Sequence, residues 1–314
     1  MLRYTLRRLL QSVVTVLVVV TVVFCLMRLM PLEGYIGESF DKLDQSQREA
    51  KLRVLGVLDP LHIQLGRFYS QLFRGDLGVS SRYRMNIPIT EIIAPRIPYS
   101  MRFGLISLFF SIVLGCTLGL LMARRKDGLM DRIGTVYITL MQSVPMLVYV
   151  LIIQLYGSQW LRIPTLYRED RPETWLLPIV VGSIGGIAGY AVWMRRYMVD
   201  EINKDYIKLA RAKGMSSYAI MIKHVMRNAF VPIAAYLPAS ILFTIGGSLI
   251  IEASFSIPGM GGLLVNVIQR QDNPTVQALI LIFSTIGVLG LFLGDLLMGY
   301  LDPRIKLARS GGSR

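Results

Sequence analysis

Very little in this chain of 314 residues is suited to making or breaking bonds. It contains no G-x-x-x-x-G-K-[ST] phosphate loop, no H-E-x-x-H zinc pair, no C-x-x-C and no G-x-S-x-G nucleophile turn. Its two histidines, His62 and His224, fall on opposite sides of the membrane in the topology derived below. The two cysteines, Cys25 and Cys116, each lie in a long apolar run and read as small helix- or lipid-facing side chains rather than disulfide or metal partners. Asp295 is the only acid deep in an apolar stretch, because Glu252 and Arg28 fall near outer ends. A proton-driven carrier arranges several intramembrane ionisable groups as a relay, so a single acid reads as a structural hydrogen-bond partner or cap. A secondary transporter or channel acting alone would lack its relay, and an intramembrane enzyme would lack paired catalytic groups. If the chain moves a solute uphill, the energy comes from outside it, which directs attention to the face where a partner could dock.

The elements that must position such a face are set by composition. Hydrophobic residues make up 53% and charged residues 17%, far too apolar for a water-soluble domain with a polar shell. The net charge of +14 does not imply nucleic acid, since the basic residues flank apolar runs rather than covering a soluble surface. A hydrocarbon core about 30 Å thick needs roughly 20 apolar residues of helix. Six stretches meet or approach that: 9–30, 103–123, 133–156, 176–194, 231–251 and 276–301. The first follows Arg3, Arg7 and Arg8 but is too long for a signal-peptide core and lacks a small-x-small cleavage site, so it is expected to stay as an anchor.

Charge orients these spans. The segment before span one, the loops 124–132 and 195–227 and the tail after Asp302 together carry 19 Lys and Arg against six acids, so by the positive-inside tendency both termini are expected to be cytoplasmic. The segment 31–102 also holds ten basic residues, yet loops beyond about 60 residues cross largely regardless of charge. It is expected outside. The resulting organisation is 1–30 for the N-terminal segment and first span, 31–102 for an extracytoplasmic loop with short helices, 103–302 for a core containing an inner loop at 195–230, and 303–314 for a cytoplasmic tail. In the outer loop, Ser46-Gln-Arg-Glu49 is a possible capping box and Asp59-Pro60 a good N-cap and first helical residue. Leu61, Leu65, Phe68, Tyr69, Leu72 and Phe73 then make an apolar helical stripe, suited to the membrane surface or to an outer docking platform. Gly115 with Gly119, Gly182 with Gly186, Gly185 with Gly189 and Gly290 with Gly294 recur four apart, which lets helices approach closely in lipid. Pro145, Pro178, Pro232, Pro238 and the Gly246-Gly247 pair are breakers that could kink spans along a pathway. The candidate path positions are Met141, Gln142, Ser143 and Pro145 in span three, and Thr244, Gly246, Gly247 and Glu252 in span five.

The inner loop is the most informative part. Good helix formers precede Gly214, which can end a helix, and Ser216 or Ser217 can cap the next, so the segment reads as helix, sharp turn, helix. Asp205-Tyr206, then Ala210-Arg211-Ala212-Lys213-Gly214, then His224, Arg227-Asn228-Ala229 and Pro232 resemble the coupling loop of binding-protein-dependent ABC importer permeases, most closely the peptide and nickel branch. The likeness extends to Leu2-Arg-Tyr4, Arg7-Arg-Leu-Leu10, Arg74-Gly-Asp-Leu-Gly78, Ser254-Phe-Ser-Ile-Pro-Gly-Met-Gly261, Asp272 with Pro274, and Asp302-Pro-Arg-Ile305. The wider superfamily often has an acid and two alanines ahead of the loop glycine; here Lys208, Leu209 and Ala210 stand there, and the acid is missing.

That resemblance implies an all-α polytopic protein with six transmembrane helices, type I ABC importer permease-like, with a large outer loop after the first. It implies a bacterial or archaeal cytoplasmic membrane, a second homologous permease, two ABC ATPases and an extracytoplasmic substrate-binding protein. It gives Asp205, Tyr206, Ala210, Arg211, Ala212, Lys213, Gly214 and Met215 the role of ATPase coupling. No cofactor or metal is expected in this chain, with ATP and magnesium held by the ATPases. The implied cargo is a di- or oligopeptide, with nickel or another small solute as the alternative within the family.

Overall fold

The computed structural model describes residues 2–36 and 43–301. The expected tail at 303–314 and the Asp302-Pro-Arg-Ile305 motif lie outside the described residues. Helix α1 (Leu2–Met27) is followed by α2 (Glu33–Ile36), α3 (Gln45–Val54), α4 (Leu61–Phe73) and α5 (Ile89–Ile93), and then by the long α6 (Ile97–Arg124). Next come α7 (Leu129–Ser143), α8 (Met146–Ile152), a π turn at Ile153–Gly157, α9 (Ser158–Leu161), a 3-10 turn at Pro172–Trp175 and α10 (Leu176–Ile202). The remainder is α11 (Asp205–Ala212), α12 (Ser217–Ile220), a π segment at Met221–Met226, α13 (Arg227–Gly246), α14 (Leu249–Phe255), α15 (Met260–Gln269) and α16 (Asn273–Leu301). Among the described residues there is no strand, only an isolated bridge between Val79 and Pro88.

Among the described residues five stretches are long and apolar enough to cross a membrane: Thr5–Met27, Ile97–Arg124, Pro172–Ile202, Ser217–Phe255, which is interrupted between Gly246 and Leu249, and Asn273–Leu301. The expected third span is not straight. Helices Leu129–Ser143 and Met146–Leu161 meet at 103°, and the total reaches six when this bent pair counts as one. The break has a local cause. Pro145 has no N–H to donate and crowds the residue before it, and Val144 is accordingly extended at φ −87°, ψ 124°. Pro232 and Pro238, in contrast, lie inside α13 without ending it.

The chain divides into two compact units. One comprises Met1–Met101 with Ile245–Leu289, the other Arg102–Thr244 with residues from Gly290 onward. In the first unit, Met27, Ile89, Ile92, Ile93, Met260, Leu263, Val267 and Leu279 form a buried cluster from the end of α1, α5, α15 and the start of α16. Asp272, fully buried, ties the loop after α4 to this cluster. Its carboxylate accepts from the Ser80 hydroxyl at 2.5 Å, the Tyr83 amide at 2.8 Å, the Arg82 amide at 3.1 Å and the Thr275 amide at 3.2 Å. The amphipathic α4 lies along the C-terminal half of α1. The Tyr69 hydroxyl meets Thr21 Oγ1 at 2.7 Å and the Leu17 carbonyl at 3.1 Å, and the Phe68 and Phe24 rings are 4.9 Å apart. Two caps differ from expectation. The capping box of α3 belongs to Asp44 and Gln47 rather than Ser46 and Glu49, because the Asp44 carboxylate accepts the Gln47 amide at 2.8 Å while Gln47 Oε1 accepts the Asp44 amide. Pro60, not Asp59, is the N-cap of α4, and Asp59 instead pairs with Arg67 at 2.5 Å.

In the second unit the Gly115–Gly119 and Gly290–Gly294 pairs do what their spacing predicts, whereas Gly189 has nothing within 4 Å. A Cβ on Gly115 would lie 2.7 Å from the Ile187 carbonyl, and one on Gly119 2.7 Å from the Ala191 carbonyl, so α6 and α10 touch backbone to backbone. Gly290 and Gly294 do the same for α16 against Ala239 and Ala235 of α13. Such contacts are the available glue between helices in lipid, where apolar surface gives no drive to associate.

Candidate functional site

The loop at 195–230 folds as a compact helical hairpin. Helix α11 starts after Lys204, whose backbone is extended. Asp205 stands in its first turn, where negative charge complements the exposed amides, and is ion-paired with Lys208 at 2.8 Å. That lysine holds the Asp205 carboxyl below its ordinary pKa. The helix ends in a Schellman arrangement: the Gly214 amide donates to the Arg211 carbonyl at 2.9 Å and the Met215 amide to the Ala210 carbonyl at 3.3 Å. Gly214 has φ +78°, the left-handed conformation that glycine adopts without cost. Ser216 then caps α12 by accepting the Ala219 amide at 3.2 Å.

The two faces of α11 are chemically distinct. Ile207 is fully buried and Ala210 nearly so, packed into a cluster with Met194, Met198, Ile220, Val225, Ala229 and Ile233. On the other side Lys208, Arg211, Ala212, Lys213 and Gly214 are exposed. So are Leu209, 56% exposed, and Tyr218, 71% exposed. Two large apolar side chains beside three cations, on a turn whose other face is anchored, make a protrusion whose outer surface lacks an apolar partner among the described residues.

Behind the protrusion lies a polar cluster. Glu201, the penultimate residue of α10 and 7% exposed, pairs with Lys204 and accepts the Tyr206 hydroxyl. Asn228 Nδ2 of α13 donates to Glu201 Oε1 at 3.1 Å and to the Tyr206 hydroxyl at 2.7 Å. Two turns earlier in α10, Arg195 forms a two-pronged ion pair with the buried Asp131 of α7, at 2.6 and 2.8 Å. In the sequence Glu201, Asp131 and Arg195 stand out only as charges in the loops that flank the spans, and Asn228 only as part of a motif. The signal was present: an acid and a base at the ends of neighbouring apolar spans seek one another when partly desolvated.

The structure also places the candidate path residues. Met141, Gln142, Ser143 and Pro145 stand at the sharp bend, the last three exposed, and Thr244 is buried against Gly104, where a Cβ would meet its side chain at 2.6 Å. All five belong to the second unit. Gly246, Gly247 and Glu252 belong to the first. Gly247, at φ +69°, interrupts the helix, so Glu252 is not at the end of a straight span but in the short α14. Its carboxylate is buried, accepting from Ser100 Oγ at 2.8 Å and the Gly262 amide at 3.0 Å, and a Cβ on Gly247 or Gly259 would collide with it.

Residues 115–307 match the family model described as "Binding-protein-dependent transport system inner membrane component". The dipeptide transport system permease protein DppB of Lactococcus lactis is 32% identical over 98% of this chain and its own full length. The oligopeptide transport system permease protein AmiC of Streptococcus pneumoniae is 37% identical over 67% of this chain, a segment that spans 42% of AmiC. The fold is that of a chain from inward-facing crystals of the MetNI methionine ABC transporter, with a TM-score of 0.55 at 16% identity over 69% of this chain and all of that one. An amino acid ABC transporter chain gives a TM-score of 0.51, covering 67% of this chain and 93% of that one.

Proposed function

The chain belongs to the family of binding-protein-dependent transport system inner membrane components, and from that premise we propose that it is a permease subunit of an ATP-driven importer of di- or oligopeptides. The peptide assignment rests on the dipeptide and oligopeptide permeases that it resembles. In this reading it forms half of a translocation path beside a second, related permease, and a substrate-binding protein delivers cargo from outside. Two ATPases bind ATP and magnesium below and carry out the hydrolysis. The chain crosses a bacterial or archaeal cytoplasmic membrane several times, with its basic loops and both termini inside.

The observation that carries the reading is the two-faced hairpin. Residues 205–215 present Leu209, Arg211 and Lys213 outward while Ile207 and Ala210 are locked to the spans behind. An apolar knob ringed by cations can be held in an ATPase groove by burial and charge complementarity together. A groove that shifts with nucleotide state would then move the spans and alternate access to the path. Met141, Gln142, Ser143 and Pro145 at the bend, with Thr244, Gly246, Gly247 and Glu252, are assigned to the path or to its gating scaffold.

The test is the double variant Arg211→Glu and Gly214→Val in the assembled transporter. It is expected to remain in the membrane while losing its ATPases and peptide uptake. Wild-type uptake by that variant would overturn the assignment.

A further inference from the structure

A docked hairpin moves spans only if something prevents it from rolling on its own apolar contact. Helix α11 has eight residues, too short to hold itself, and Ile207 and Ala210 give it burial without direction. The hydrogen bonds that tie it to neighbouring helices converge on one residue, Tyr206, whose ring also meets His224 edge-on at 6.4 Å. Glu201 of α10, Tyr206 of α11 and Asn228 of α13 form a closed triangle of hydrogen bonds, and Lys204 neutralises the second carboxylate oxygen. Three elements therefore share one carboxylate. Bonds to an ionised acceptor are stronger and more directional than neutral ones. Beside the triangle a cleft of about 460 Å³ is lined by Tyr197, Asp200, Val231 and Pro232, so apolar packing does not fill this corner.

We propose that the Glu201–Tyr206–Asn228 triangle is the joint that forces α11, α10 and α13 to move as one body, and so sets how much peptide is moved per ATP. The inference rests on the docking role proposed above. Its residues are positioning residues: Tyr206, although within the segment given the coupling role, turns its hydroxyl back to Glu201 and Asn228, and docking itself is assigned to Leu209, Arg211 and Lys213. Displacing α11 must either break the Tyr206 contact to Glu201 or drag the ends of α10 and α13. Through α10 the displacement also reaches α7, because Asp131 grips Arg195 six residues before Glu201.

The experiment uses the complete transporter in liposomes, with Tyr206→Phe, Asn228→Ala and Glu201→Gln made singly and the first two together. Tyr206 and Asn228 are partly solvent-exposed, so these are mild changes for folding. Peptide moved per ATP hydrolysed is expected to fall about fivefold or more, the usual lower range for a lost coupling, with the ATPases still bound and still hydrolysing. The double variant is expected to be no worse than the poorer single, since the residues act as a unit. Bridging Tyr206→Cys and Asn228→Cys with a short bis-thiosulfonate is expected to restore the ratio. If the variants lower only the amount of assembled complex and leave peptide per ATP unchanged, the joint is refuted. An unchanged ratio beside an impaired Arg211→Glu transporter refutes the joint alone. An Arg211→Glu transporter that keeps its ATPases and its uptake refutes the docking reading, and the joint falls with it.

Discussion

Asp272 accepts six hydrogen bonds at a site from which water is excluded, counting the Ser81 amide and hydroxyl at 3.3 Å with the four donors above. Burial pushes its pKa up, but the Ser80 hydroxyl and the Tyr83 and Arg82 amides outweigh that and hold the carboxyl below its ordinary value. A group whose folded pKa is depressed stabilises the fold above its unfolded pKa, and loses that contribution as pH falls through the folded value. The loop at 79–88 is therefore expected to be fully held at neutral pH and to loosen only below about pH 4. Hydrogen exchange of that segment measures it. Asp272→Asn should raise exchange at pH 7, at a cost of about 2 kcal/mol for acceptors lost in a buried site, and the gap between variant and wild type should close in acid. Equal exchange at pH 7 would remove Asp272 as the tie.

Helices in this chain are held by contacts whose tolerance differs position by position, and two glycines of similar appearance separate the cases. A methyl on Gly119 meets the Ala191 carbonyl and Met194 Cβ, neither of which can yield, whereas Gly189 has nothing within 4 Å. Gly119→Ala should cost about 1–3 kcal/mol, while Gly189→Ala should be neutral or stabilise by up to about 1 kcal/mol, as helix propensity favours; thermal unfolding of the purified chain in detergent distinguishes them. On α11 the faces predict opposite outcomes. Ile207→Asp should destroy the hairpin, by burying a lone charge, and lower the yield of folded chain, but Leu209→Asp should leave yield intact and weaken only ATPase capture, read by pull-down. Much of this was legible in sequence because it is local. Apolar runs gave five spans and the bent sixth, Gly214 and Ser216 gave the turn and cap, and four-residue glycine spacing gave the close contacts at Gly115, Gly119, Gly290 and Gly294 but not at Gly189. What escaped depends on distance along the chain or on competition between neighbours. Glu201 and Asn228 are 27 residues apart, and Asp131 and Arg195 are 64 apart, so no periodicity joins them. Asp44 won the cap from Ser46 because its carboxylate is the better acceptor for the Gln47 amide, and the left-handed turn at Gly247 withdrew Glu252 from the end of a span into a cage of glycines.

For the molecule as a whole, orientation in the membrane is a question of charge. The segments expected inside hold 19 of the 34 basic residues, while the long outer segment holds ten, and the positive-inside tendency counts mainly the short loops and span ends. The proposed docking role requires the same sidedness, since ATP is available only on the cytoplasmic side. Single cysteines at Met85, 47% exposed, and at the exposed Lys213 test both at once, after Cys25 and Cys116 are replaced by alanine. A membrane-impermeant maleimide should label Met85→Cys on intact cells and reach Lys213→Cys only after permeabilisation. Bound ATPases should further slow labelling of Lys213→Cys in opened membranes, because that residue lies in the surface assigned to them, and should leave Met85→Cys unaffected. Labelling of Lys213→Cys from outside would invert the topology and make docking of a cytoplasmic ATPase on this hairpin impossible. Inside labelling without protection would keep the topology and remove the hairpin as the docking surface.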